Sequence, residues 1–273
     1  MTDRINMAAQ LAQPVLVSTF REYVKNSNYS GYQLRKLFKL SVEEMAELLF
    51  LESAENDIQM PHLQHLFNLY SLFPELIPEV SSYEVDSILV ESLTMRIPES
   101  RPVRGGDAKQ LRTIHQLSAD QARSYYRMSP NSYASMTGKG ALASLLNPTI
   151  AIMTRVWAAN PLYVPKERDW TFDEISKIVP DTPRNSGIAL GKQQSSATRW
   201  GHDVNMTPVV KACASLMVRT VVDDSYETWL EYVNEEAKSR GVENVFSKGH
   251  WNKGEIKTQH ANQVDKLKKG MNK

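Results

Sequence analysis

The stretch Ser186–Thr207 reads SGIALGKQQSSATRWGHDVNMT, and its order of small, glycine and polar residues predicts the helical architecture of the chain. A short helical piece, Ile188 to Leu190, meets Gly191, and a polar run then leads from Lys192 to Trp200. Pro208 opens an apolar helix, because proline is tolerated at the first helical position, where its missing N–H removes no hydrogen bond. The stretch therefore predicts two short helices joined by a tight turn and followed by a longer helix.

This combination of small residue, glycine turn, Gln/Ser-rich helix start, closing Trp200 and proline-led helix resembles the lambda-repressor-like (Cro-like) helix-turn-helix. The resemblance implies an all-α fold in which the second helix of the pair lies in the major groove of DNA. The side-chain chemistry agrees, since Gln suits adenine edges and Arg or Lys suits guanine or phosphate. The candidate DNA-binding residues here are Lys192 (on phosphate), Gln193, Gln194, Ser195, Ser196, Thr198 and Arg199. The alternative is an ordinary polar turn and surface helix.

The same order of elements recurs earlier in the chain. Leu34–Arg35 matches Leu111–Arg112, and the helix start at Leu40–Ser41 matches Leu117–Ser118. Ser41 and Glu44 also have the spacing of a capping box. We read three divergent copies of one helical unit in tandem, and a plain helical array remains the alternative.

The second copy supplies a second set of candidate DNA contacts. They are Arg127, Ser129, Asn131, Ser132, Tyr133, Ser135 and Lys139, chosen because amides and hydroxyls suit bases and cations suit phosphates. This copy departs from the family pattern, because Pro130–Asn131 stands where the usual Gln/Ser start would be.

Two joints divide the chain into expected units: Pro98–Asp107, which mixes Pro, Gly and charge, and Pro161–Arg168, which is Pro-flanked and basic. Residues 1–97 form an acidic helical unit for dimerisation or partner binding, and residues 107–165 form a basic helix-turn-helix unit. Residues 168–240 form a helix-turn-helix unit with a C-terminal helix, and residues 241–273 form a basic flexible tail. The pattern of residues 82–93 fits a strand or a helix equally well.

The charges are unevenly distributed along the chain. The formal net charge is only +1, yet residues 43–95 contain no Lys or Arg, and residues 101–168 contain ten against three carboxylates. Because DNA binding relies on Lys and Arg neutralising phosphates, the acidic unit is expected not to touch DNA. The basic part has the concentration of Lys and Arg expected of a nucleic-acid-binding region. Runs of charge are also typical of solvent-exposed faces.

Other functional classes are poorly supported. No phosphate loop, nucleophile triad or dinucleotide turn appears, so we expect no enzyme and no cofactor. His62 and His65 lack a third ligand of suitable spacing, so no metal site is expected. The single Cys213 excludes a disulfide within the chain and suits a reducing cytoplasm. No apolar run approaches a membrane span.

The sequence therefore predicts a cytoplasmic, double-stranded DNA-binding transcriptional regulator, acting as a homodimer, and the resemblance suggests a plasmid or phage source. One alternative is a DNA-binding accessory factor for plasmid transfer, partition or recombination. Another is a helical adaptor that binds only proteins.

Overall fold

The computed structural model describes residue 7 and residues 9–80, 91–163, 168–200 and 206–252, and these residues form an all-helical fold. The predicted fold class is therefore confirmed. Most of the ambiguous stretch 82–93 and the last part of the expected tail, residues 253–273, lie outside the described residues.

Seven of the α-helices in the described residues lie in the first half of the chain. They are α1 (Val17–Asn26), α2 (Gly31–Phe38), α3 (Val42–Ala46), α4 (Pro61–Leu72), α5 (Gly105–Ile114), α6 (Ala119–Tyr125) and α7 (Pro130–Thr137). A π-helical segment, Glu47–Leu51, continues α3, and 3₁₀ turns lie at Pro74–Leu76 and Lys139–Ala141. The second half adds α8 (Pro148–Ala159), α9 (Phe172–Ile178), α10 (Pro183–Ala189), α11 (Gln194–Trp200), α12 (Pro208–Asp223), α13 (Tyr226–Ser239) and α14 (Val245–Lys248).

Helix α12 is the centre of the fold. It packs against α2, α3, α8, α9 and α13. A helix surrounded by neighbours carries apolar residues on most of its faces, and Val210, Leu216 and Val218 are almost completely buried. Cys213 is buried in this helix as a small apolar residue, and burial raises the pKa of its thiol.

Buried ion pairs tie distant parts of the chain to α12 and α13. Arg35 of α2 donates through Nε and Nη2 to the Asp223 carboxylate, at 2.5 and 2.9 Å. Arg155 of α8 donates through Nε to Glu236 at 2.8 Å, and Arg240 contacts the other Glu236 oxygen. Buried residues from all of these parts of the chain belong to one continuous core.

The two stretches that the sequence pairs fold into the same turn. Leu40 N–H bonds to Arg35 O, and Leu117 N–H bonds to Arg112 O, so each turn closes the end of one helix. In each turn the arginine side chain also donates to the carbonyl of that leucine, and the following serine caps the next helix. The residue before each leucine, Lys39 or Gln116, has a positive φ of 56° or 52°.

A third copy of this turn, which the sequence comparison does not predict, joins α6 to α7. Met128 N–H bonds to Arg123 O, Arg123 Nη1 donates to Met128 O, and Ser129 caps α7. Arg127 has the positive φ, at 49°. The sequence pattern does not pair this turn with the other two, because Met128 stands where they have leucine.

We expect Gln116→Gly to raise the free energy of unfolding by about 0.5 kcal/mol, because glycine removes the steric cost of a left-handed residue but loses more chain entropy on folding. Gln110→Gly, the same change in the middle of α5, should lower it by about 0.5–1 kcal/mol. Urea denaturation of both variants checks this. An equal loss in the two would show that Gln116 is not strained.

We expect Asp223→Asn to destabilise the fold by about 3–5 kcal/mol, because it leaves the buried Arg35 guanidinium without its counter-charge. Asp224→Asn, the same change at an exposed neighbour, should stay within about 0.5 kcal/mol of the unaltered protein. Thermal unfolding monitored by circular dichroism compares the two. Similar melting temperatures for both variants would contradict the importance of the Arg35–Asp223 pair.

Candidate nucleic-acid interface

The helix pair α10–α11 has the close packing and tight turn that the sequence predicts. Gly191 has a φ of +73°, and a Cβ added there would lie 2.2 Å from the Thr149 backbone nitrogen. A Cβ on Gly187 would lie 2.8 Å from Gln193 O and 3.3 Å from the Ala197 Cβ. Glycine is therefore required at both positions, one for the turn and one for the approach of the two helices.

Side chains from three other parts of the protein hold this turn in place. Thr149 Oγ1 donates to Leu190 O at 2.8 Å, and Trp229 Nε1 donates to Ala189 O at 3.0 Å. Trp251 Nε1 donates to the carbonyl of Lys192 at 3.2 Å. These bonds satisfy carbonyl groups that a helix end would otherwise leave unpaired, so α11 is presented on a firmly anchored turn.

Helix α11 has one outward polar face. Ser195, Thr198 and Arg199 are exposed at positions i, i+3 and i+4, which lie on the same side of a helix. Gln193, just before the helix, is also exposed. These four of the predicted contacts are accessible to a partner.

The inward side of α11 faces the core. Ala197 is completely buried, and Trp200 packs edge-on against the Phe172 ring at a centroid distance of 5.7 Å. Ser196 is also buried, and its hydroxyl lies 3.4 Å from Arg199 Nη2. The expectation that Ser196 contacts DNA is therefore wrong, because its side chain faces the protein. Trp200 has the packing role that the resemblance implies.

Gln194, predicted to read a base, is half-buried and already bonded within the protein. Its Nε2 donates to Phe246 O at 3.0 Å, and its backbone N–H donates to Gly249 O at 3.3 Å. Gln194 therefore fastens the segment around α14 over the start of α11. Lys192 is half-buried, and burial lowers the pKa of its ammonium group.

The beginning of the expected flexible tail is part of the fold. Val242, Val245 and Trp251 are buried in the core. Helical periodicity in the sequence could not predict this, because residues 241–252 contain few apolar side chains. Tertiary contacts with α10 and α11 hold this segment in place.

The second set of candidates lies on and around α7. Ser129 accepts from the Ser132 backbone N–H at 3.2 Å, so both residues shape the start of the helix. The other exposed candidates are Asn131, Ser135 and Lys139. The expectation for Tyr133 is wrong, because it is only 3% exposed and stacks on the Tyr126 ring inside the core. Its spacing from the buried Met136, three residues on, is the signal that could have placed it there.

Arg127 does not project freely toward a phosphate. Its Nη1 pairs with the Asp169 carboxylate, which also accepts from Lys211 Nζ at 2.7 Å. The hydrogen bond from Lys211, together with Arg127, holds the pKa of Asp169 below its usual range. The expectation that Arg127 contacts a DNA phosphate is therefore corrected. Its side chain links the end of α6 to the segment before α9.

Much of the basic surplus in residues 101–168 is neutralised inside the molecule. The internal pairs are Arg101–Asp107, Arg123–Asp120, Arg127–Asp169, Arg155–Glu236, Arg168–Glu174 and Arg168–Glu47. The last of these joins the basic part to the acidic part. Four cations of this region have no carboxylate partner among the described residues, namely Arg104, Lys109, Arg112 and Lys139. Lys166 lies outside the described residues.

The two histidines considered for metal binding are on α4. His65 Nδ1 lies 2.8 Å from Pro61 O, one helical turn earlier. Within the described ranges, no three His, Cys, Asp or Glu side chains are grouped so that they could hold a metal ion. In the same ranges, no helix has both the length and the apolar character needed to cross a bilayer.

No protein-family model, curated protein or solved structure was found to match this chain. Its function is therefore argued from its residues and their geometry.

We expect Gln194→Ala to loosen the segment around α14, because it removes the side-chain hydrogen bond to Phe246 O, at a cost of about 1 kcal/mol. Hydrogen–deuterium exchange should become faster at residues 245–251. Gln193→Ala, the neighbouring exposed glutamine, serves as the matched control and should leave that exchange unchanged. Equal exchange in the two variants would show that Gln194 does not fasten this segment.

Proposed function

We propose that this protein is a sequence-specific, double-stranded DNA-binding transcriptional regulator that presents α11 to the major groove. The observation that carries the proposal is the outward face of α11, where Ser195, Thr198 and Arg199 project from the second helix of a tight pair. An α-helix fits the major groove, and these are side chains that can contact base edges or phosphates there.

The anchored turn supports this role. A helix that is already held in its binding orientation loses little conformational freedom when it docks, so more of the contact energy appears as affinity. Arg199 would pair with guanine or with a phosphate, and Gln193 would pair with adenine. Arg184, exposed at the second position of α10, is a further phosphate candidate that sequence reasoning did not single out.

The exposed residues Asn131, Ser132, Ser135 and Lys139 of the α7 region offer a second surface of the same chemical kind. Two such surfaces in one chain, or two chains as a homodimer, would raise affinity through effective concentration. The same contacts would also serve an accessory factor for plasmid transfer, partition or recombination.

The competing candidate is a helical adaptor that binds only proteins. It is favoured by the internal pairing of Arg101, Arg127, Arg155 and Arg168, which removes cations from any contact with phosphates. Fluorescence anisotropy with a pool of random duplexes separates the two candidates. A DNA-binding regulator should bind and lose at least tenfold in affinity between about 50 and 200 mM salt, because counterions are released from the phosphates. An adaptor should show no binding at either concentration.

We expect Arg199→Ala to weaken binding to the best duplex selected from such a pool by about 1–3 kcal/mol, because a base or phosphate contact is lost. Arg96→Ala is the matched control. Arg96 is exposed next to Met95, whose backbone N–H bonds to Ala158 O at the C-terminal end of α8. Thr149, which holds the α10–α11 turn, is at the N-terminal end of the same helix. The control therefore removes an arginine at the end of α8 opposite to the α10–α11 turn. Equal affinities of the two variants would remove α11 from the interface.

A further inference from the structure

A cleft of about 440 Å³ lies between α5, α6 and α7. Three cationic side chains line it, Lys109, Arg112 and Arg123, and the single carboxylate in the lining is Asp120. Pro130 and Ala134 of α7 provide part of an apolar wall. Volume and lining together are those of a pocket for a small organic anion.

The two arginines are held in place by the repeated turn. Arg112 Nε donates to Leu117 O at 3.1 Å, and its two terminal nitrogens have no acceptor among the described residues. Arg123 Nε pairs with Asp120 at 2.6 Å, so that carboxylate is already neutralised. Lys109 and Arg112 are therefore the unneutralised charges of the cleft, and they give it a net charge of about two.

The equivalent arginine of the first turn shows what this position can hold. Arg35 binds the Asp223 carboxylate through two nitrogens, at 2.5 and 2.9 Å, while Nη1 donates to Leu40 O. Arg112 bonds to its turn through Nε instead, and its Nη1 and Nη2 have no carboxylate partner among the described residues. These two terminal nitrogens are suited to bind an oxyanion with two parallel hydrogen bonds.

A buried hydroxyl group in the lining also lacks a partner. Tyr133 lines the cleft and is 3% exposed, and its hydroxyl has no hydrogen-bond partner in the described part of the chain. Burial raises the pKa of this hydroxyl. The lining therefore contains an unsatisfied hydrogen-bond donor as well as its cations.

We propose that this cleft is a binding site for a small phosphate monoester, whose phosphoryl group contacts Lys109 and Arg112. A phosphate monoester carries nearly two negative charges at neutral pH, which matches the two unneutralised cations. The apolar wall accommodates the organic part of the ligand. Bound there, the ligand would contact α7 on the side opposite to the exposed Asn131 and Ser135.

Isothermal titration calorimetry on the full-length protein tests the site with three probes: adenosine 5′-monophosphate, inorganic phosphate and adenosine. We expect the two phosphates to bind saturably and adenosine to bind at least tenfold more weakly than its monophosphate. Lys109→Gln and Arg112→Gln should each weaken the monophosphate at least tenfold. Arg104→Gln, an exposed arginine at the other end of α5, should leave it unchanged.

The exposed Lys109 side chain makes no hydrogen bond within the part of the chain that the structure describes, so Lys109→Gln remains informative if Arg112→Gln unfolds. Failure of both phosphates to bind, or equal binding by Lys109→Gln and Arg104→Gln, overturns the proposal. The proposal is also overturned if the unaltered protein binds neither phosphate probe and Lys109→Gln loses duplex binding, because Lys109 would then contact DNA. Calorimetry without DNA makes this result independent of the proposed regulatory function.

Discussion

Two fully buried carboxylates, Asp223 and Glu236, impose the constraint on which the rest of the structure depends. Each is neutralised by an arginine from another part of the chain, Arg35 for the first and Arg155 for the second, and Arg240 at the end of α13 also pairs with Glu236. A buried charge without its partner costs several kcal/mol, so helices α12 and α13 become stable only when the N-terminal and middle helices are in place. The acidic and basic parts of the sequence are therefore interdependent in folding, even though their compositions differ.

This shared core also determines how the candidate interface is presented. Thr149 at the start of α8 and Trp229 on α13 bond to the α10–α11 turn, and both helices pack on α12. The outward residues Thr198 and Arg199 thus lie on a short helix whose orientation is set by the centre of the protein. A seven-residue helix would not be stable alone, so this dependence on tertiary contacts is what allows α11 to act as a rigid surface.

Features encoded within a few residues could be predicted from the sequence, whereas those that depend on distant partners could not. The helix turn at Gly191 and the cap at Ser118 follow from local backbone requirements, and both are present. The roles of Gln194 and Arg127 depend on Phe246 and Asp169, which are 52 and 42 residues away. Residue type indicated what these polar side chains could bind, but it carried no information about the internal groups that already bind them.

The same limit explains why the charge pattern is an incomplete guide to a partner. Arg35, Arg112 and Arg123 occupy equivalent places in three similar turns, yet their surroundings differ. Arg35 meets the buried Asp223, Arg123 meets the exposed Asp120, and the terminal nitrogens of Arg112 face a cleft. Because a guanidinium group in this turn keeps donors to spare after bonding to the backbone, whatever lies next to it determines its use. The arginine of this recurring turn thus stabilises the fold in one copy and remains accessible to a ligand in another.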